Sequence, residues 1–131
     1  MIRGIIVGHG DFAKAILNTA ELILGEQPEV EVISNRGFSC ASMTEKINEV
    51  ISKGDCKSTI IFLDLPGGSC TMSCYSILKE ISDLHIISGV NLPMLIEFFM
   101  LRDKYSADDL DSILVEKGKD NIIQLRSRNE Q

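Results

Sequence analysis

Four short apolar runs separated by amphipathic stretches constrain the fold of this chain more than any other feature. The runs are residues 2–7, 30–33, 59–63 and 85–88, each of strand length and each bounded by turn residues. Runs of this kind suit strands covered on both faces rather than strands with one wet face. Between them lie helical patterns. Phe12, Ile16, Ala20 and Ile23 fall near one face of a helix spanning residues 12–24, with Asp11 as its cap and Gly25 as its stop. Ser42-Met43-Thr44-Glu45 has the spacing of a capping box, which predicts a second helix to about Ser52 with Met43, Ile47, Val50 and Ile51 inward. Gly67-Gly68-Ser69 opens a third helix to about Ile81, and Pro93 sits in the first turn of a fourth reaching about Lys104. A fifth starts at Ser106 and ends near Gly118, and residues 121–125 read as a weak final strand. Strands and helices that alternate in this way predict an α/β fold: a doubly wound, mostly parallel four-stranded sheet with helices on both faces. The chain of 131 residues suits one domain over residues 1–125, followed by a polar tail at 126–131.

Composition narrows the function. A net charge of −6 and a pI near 4.8 exclude nucleic acid as a natural partner, since few cations are available to displace counterions from phosphates. An acidic surface favours docking to a basic protein. Cys40, Cys56, Cys70 and Cys74 form no CxxC pair. The first residues enter a strand-like run without a signal-peptide pattern, and no apolar stretch reaches the ~18 residues of a membrane span. These features together predict a cytoplasmic protein. Cys70 and Cys74 are spaced i, i+4 and could face one way, but two cysteines and one possible histidine fall short of a zinc site, so no metal and no cofactor is expected.

In a doubly wound sheet, ligands gather beyond the carboxyl ends of the strands, where the strand order switches. His9 follows the first strand and Asp64 follows the third. If those strands are neighbours, the two side chains share the crevice. A neutral imidazole is nucleophilic near pH 7 and forms a bond to phosphorus that is labile enough to pass the group on. Attack through one ring nitrogen requires the proton on the other, and a carboxylate such as Asp64 can hold it there. Gly10, Gly67, Gly68 and Ser69 are the candidate phosphoryl-binding residues, offering backbone N–H groups at a helix start and one hydroxyl. Gly8 and Gly10 leave room for a partner's active site to approach the ring. His85, which opens the fourth strand, reads as structural. A receiver-like domain would need an acidic pair after the first strand, where Gly-His-Gly stands. A serine hydrolase would need a glycine two places after Ser69, and Thr71 stands there.

Ile5-Ile6-Val7-Gly8-His9-Gly10, Asp64 with Gly67-Gly68-Ser69, Gly89-Val90-Asn91-Leu92-Pro93-Met94 and the helix end at residues 20–27 together resemble the mannose-type (mannose/fructose/sorbose) IIA component of the bacterial sugar phosphotransferase system. The resemblance covers nearly the whole chain, in order and in spacing. It implies that His9 accepts a phosphoryl group from the phosphocarrier HPr and donates it to a IIB component, for sugar uptake and phosphorylation. It implies that Asp64 hydrogen-bonds the imidazole, and that Gly67, Gly68 and Ser69 lie beside the phosphoryl group. It also implies a homodimer in which the final strand crosses to the partner's sheet, and contact with the membrane only through a permease complex. Leu65-Pro66 stands where an aromatic residue often precedes the double glycine, and Cys70-Thr71 replaces a frequent proline, so the rim around the site departs from the family pattern. A phosphorylatable regulatory module that signals phosphotransferase status, without a transport role, is the alternative on the same residues.

Overall fold

A computed structural model describes residues 1–128, apart from the side chains of Ser69, Cys70 and Ser73. In chain order the elements are β1 (Arg3–Gly8), α1 (Phe12–Leu24), β2 (Val30–Ser34), α2 (Cys40–Ile51), β3 (Thr59–Leu63), α3 (Gly68–Leu78), β4 (Leu84–Ser88), α4 (Leu92–Leu101) and α5 (Ala107–Asp120). The four strands form one parallel sheet in the order β2-β1-β3-β4. The order reverses direction between β1 and β3, which places the crevice of a doubly wound sheet beyond Gly8 and Leu63.

Alternate residues of the central strands face opposite layers, as the two-residue period of a strand demands. Ile6, Ile60 and Phe62 pack under α1, α4 and α5, in a core completed by Ala13, Leu95 and Phe98. Ile5, Val7, Ile61 and Leu63 pack under α2 and α3, against Met43, Ile47, Cys74 and Ile77. Every residue of β1 and β3 is buried, whereas β2 and β4 form the sheet edges. A Cβ on Gly4 would stand 2.8 Å from the Phe98 ring, so glycine there lets α4 lie close on the strand.

Two buried arginines close the amino-terminal side. Arg3 donates to the Val50 and Ile51 carbonyls at 2.7 and 2.8 Å and caps the end of α2. Arg102 donates to the carbonyls of Pro28 (2.7 Å), Ile2 (3.3 Å) and Glu29 (3.3 Å), with its guanidinium stacked on Phe98 and Phe99. Both are cations spent on backbone carbonyls.

Several expected boundaries move. The box expected at Ser42 and Glu45 forms one turn earlier: the Ser39 hydroxyl accepts from the Ser42 N–H, and the Ser42 hydroxyl accepts from the Ser39 N–H. Helix α2 therefore begins at Cys40. Asp11 occupies the N-cap position of α1, yet its carboxylate makes no capping bond and pairs with Arg36 instead. Helices α3 and α4 end about one turn short of expectation, at Leu78 and Leu101. Residues 121–125 form no strand in this chain: Ile122, Ile123 and Leu125 are all largely exposed. A strand needs a neighbour to satisfy its ladder, and among the described residues this segment pairs with no strand. Of the expected polar tail, residues 126–128 have no regular structure and 129–131 lie outside the described residues.

Candidate active site

The register of the sheet brings His9 and Asp64 together. Val7 pairs with Leu63 across β1 and β3, and both strands then break into loops at the same edge. The Asp64 N–H is still donated to the Val7 carbonyl at 3.3 Å, which sends its side chain back toward the residues after Gly8. Asp64 Oδ2 accepts twice from His9, from the backbone N–H at 2.8 Å and from ring Nδ1 at 2.8 Å. Its other oxygen, Oδ1, accepts from the Leu65 N–H at 2.8 Å. Three donors thus converge on one carboxylate.

That arrangement sets the chemistry of both partners. Burial by itself pushes the Asp64 carboxyl up, but the hydrogen bonds from His9 and Leu65 and the attraction to His9 outweigh it and hold the group below its ordinary value of 3.8. The carboxylate is therefore ionised near neutral pH and can only accept. Nδ1 must carry a proton to donate to it, so in the neutral ring Nε2 carries the lone pair. The Asp64 side chain is 12% exposed and the His9 side chain 50%, so the orienting group is covered while the ring remains open to approach.

Gly8 has a nearer task than making room for a partner. A Cβ there would lie 3.3 Å from Asp64 Oδ2 and 3.0 Å from the Phe12 ring, so its absence lets the carboxylate reach His9. Gly10, with φ +56°, donates its N–H to Asn35 Oδ1 at 3.1 Å. The loop carrying Asp64 continues into Gly67 and Gly68, with φ of 92° and 84°, in the left-handed region that glycine tolerates without strain. Among the described residues beyond their chain neighbours and the helix's own backbone, no atom lies within 4 Å of where a Cβ would stand on either, so their backbone is approachable at the start of α3. The buried Thr71 hydroxyl shares its proton between the carbonyls of Gly67 (2.9 Å) and Leu65 (3.2 Å), tying this loop to the first turn of α3. The side chains of Ser69 and Cys70, candidates for a phosphoryl contact and for a cysteine pair, lie outside the described residues.

Two residues at this end carry no motif and escaped the sequence reading. Asn35 and Arg36 follow β2, and the pairing of Gly8 with Ser34 carries them alongside the His9 turn. The only available signal was positional, since β2 must end at the same edge as β1.

His85 lies at the other end of the sheet. It joins β4 to α5 through Asp111 (Nδ1, 2.7 Å) and Asp108 (Nε2, 3.2 Å), and Nε2 also meets Asp83 (3.3 Å) just before β4. Asp83, His85 and Asp108 present ligand-type atoms within 4.8 Å of one another, and among the described residues they are the group with the chemistry to hold a metal ion. Two of the three are exposed carboxylates, and their contacts with the His85 ring already account for the cluster.

Comparison with known proteins places this chain among relatives. Residues 4–114 match the family model EIIA-man, described as the PTS system fructose IIA component. The mannose-specific EIIAB component of Escherichia coli K12 is 36% identical over 98% of this chain, which spans 41% of that relative's length. The fructose-specific EIIA component of Bacillus subtilis is 31% identical over 84% of this chain and 77% of its own. A crystal structure of an EIIA phosphotransferase component from Streptococcus agalactiae superposes with a TM-score of 0.88 at 30% identity, covering 95% of this chain and 97% of the other.

Proposed function

The chain belongs to the EIIA-man family of sugar phosphotransferase components, and from that premise we propose that it is a phosphocarrier in which His9 takes a phosphoryl group from phospho-HPr and passes it to a IIB component. The observation that carries this reading is the 2.8 Å bond between His9 Nδ1 and an ionised Asp64, which leaves Nε2 as the exposed nucleophile. On acceptance, the Nε2 lone pair forms the N–P bond as the donor's bond to phosphorus breaks, and the broken bond's electron pair stays on the donor. The Nδ1 proton stays on the ring throughout, held by Asp64, which also offsets the positive charge that develops there. Transfer to the IIB component reverses these roles, and little beyond positioning and charge compensation is required of the protein.

The N–H groups of Gly67, Gly68 and Ser69 at the start of α3, with the Ser69 hydroxyl, are the donors assigned to the phosphoryl oxygens. Gly10 can join them only by giving up Asn35. No helix among the described residues is long and apolar enough to cross a membrane, which suits a cytoplasmic carrier that meets the membrane through a permease complex.

The carrier works as a homodimer on this reading. Residues 121–125 offer exposed apolar side chains without a strand partner, and β4 is an edge strand beside a groove formed by Ile86, Ile87, Val115 and Glu116. Exchange of the tails would cover both. Light scattering on full-length protein and on a chain ending at residue 120 should give dimer and monomer respectively. A full-length monomer would contradict the exchange.

The carrier role is tested by incubating the protein with phosphoenolpyruvate, Enzyme I and HPr. One acid-labile, base-stable label is expected, absent in His9→Ala. A label that persists in that variant would remove His9 from the mechanism.

A further inference from the structure

The loop after β2 crosses the His9 turn at close quarters. The Asn35 N–H is donated to the Gly8 carbonyl at 2.9 Å, and Asn35 Oδ1 accepts from Gly10 at 3.1 Å. These two bonds fix where Arg36 leaves the backbone. Its Nη1 donates to Asp11 Oδ1 at 3.2 Å, and its Nη2 lies 3.5 Å from where a Cβ would stand on Gly10, the residue directly after His9. The guanidinium therefore lies along the turn that presents the imidazole.

We propose that Arg36 is a phosphoryl-binding arm of the His9 site, held in place by Asp11 until the phosphoryl group arrives. The proposal rests on the carrier reading and deepens it. A phosphoryl group on nitrogen brings roughly two negative charges into a site that already holds Asp64 and Asp11. The Arg36–Asp11 pair is solvent-exposed, at 69% and 83% of the two side chains, and exposed pairs are weak. Its guanidinium can exchange one carboxylate for a phosphoryl group, which it meets with two parallel N–H donors. Asp11 has no capping bond to α1, so losing Arg36 leaves the helix start unchanged. No bond is made or broken by Arg36 itself. It compensates charge as Nε2 bonds to phosphorus and the donor departs with its electron pair.

The test uses phosphoramidate, a small donor that needs no protein partner. Ammonia leaves with the electron pair of its P–N bond as His9 Nε2 takes the phosphoryl group. Formation and decay of phosphohistidine are followed by phosphorus NMR in wild type, Arg36→Gln and Arg36→Lys. Loss of one charge-assisted contact should slow formation about tenfold in Arg36→Gln, with partial recovery in Arg36→Lys and an unchanged His9 tautomer. Arg36→Gln within twofold of wild type would overturn the proposal. So would a defect confined to transfer from HPr, which would make Arg36 a docking contact. Phosphoramidate labelling without HPr labelling would remove the assigned donor and leave the arm intact. A wild type labelled by neither would end both readings.

Discussion

Replacing Asp64 by asparagine removes one charge and one acceptor from a point where three N–H groups converge. The carboxylate accepts from the His9 backbone, the His9 ring and Leu65, all at 2.8 Å. An amide has one oxygen, so it can meet these donors in two ways. With its oxygen toward His9, both His9 bonds survive as neutral ones and the amide NH2 opposes the Leu65 N–H. With its oxygen toward Leu65, the NH2 opposes the His9 backbone N–H and donates to Nδ1, which forces the ring proton onto Nε2. Each arrangement leaves one N–H opposed, so the two are close in energy and the ring tautomer is no longer fixed. The first also lacks the negative charge that supports the phosphorylated ring. Hydrogen bonds to charged groups contribute about 1.5–3 kcal/mol, and losing that much at the transition state slows transfer about 10- to 150-fold. The unfolding free energy should fall by about 1–2 kcal/mol, at the low end because the ring is half exposed. Rapid-quench transfer from phospho-HPr gives the rate, and nitrogen NMR of the His9 ring gives the tautomer. A variant that transfers within twofold of wild type, with its proton still on Nδ1, would refute this account of Asp64.

Gly8→Ala should disturb the site and the fold together, because its methyl meets both Asp64 Oδ2 and the Phe12 ring. We expect about 1–3 kcal/mol of destabilisation in urea unfolding, with slower labelling of His9. Acid should also probe Asp64. Its folded-state value is depressed, so it adds stability above its ordinary value of 3.8 and loses that contribution as pH falls through the lower folded value. The stability gap between wild type and Asp64→Asn should therefore close below about pH 4, measured by urea unfolding at each pH.

How far the sequence could be read follows from which interactions are local. The strand runs and the placement of His9 and Asp64 at strand ends are legible because burial writes a pattern into contiguous residues. The neighbouring of β1 and β3, which the site required, was a conditional expectation that the sheet order satisfies. The start of α2 is ambiguous in sequence because Ser39 and Ser42 are both competent caps, and in the structure they cap each other. Asp11 looked like a cap because the sequence gives no hint of Arg36, which comes from 25 residues away. In sequence Gly8 reads as clearance for a partner, while the nearer constraint is a carboxylate that follows another strand. Arg3 and Arg102 are hardest to foresee, since burying arginine makes sense only once unpaired carbonyls of other segments surround it. The segment 121–125 carries strand-forming side chains, yet it pairs with no strand among the described residues, and side-chain pattern alone does not supply a ladder partner.

In the proposed mechanism, Asp64 holds the His9 proton on Nδ1 so that Nε2 carries the phosphoryl group. Nitrogen-edited NMR of the phosphorylated protein tests it most directly. A single phosphohistidine at residue 9 is expected, with phosphorus on Nε2 and the proton retained on Nδ1. Phosphorus on Nδ1, or on any other residue, would contradict it.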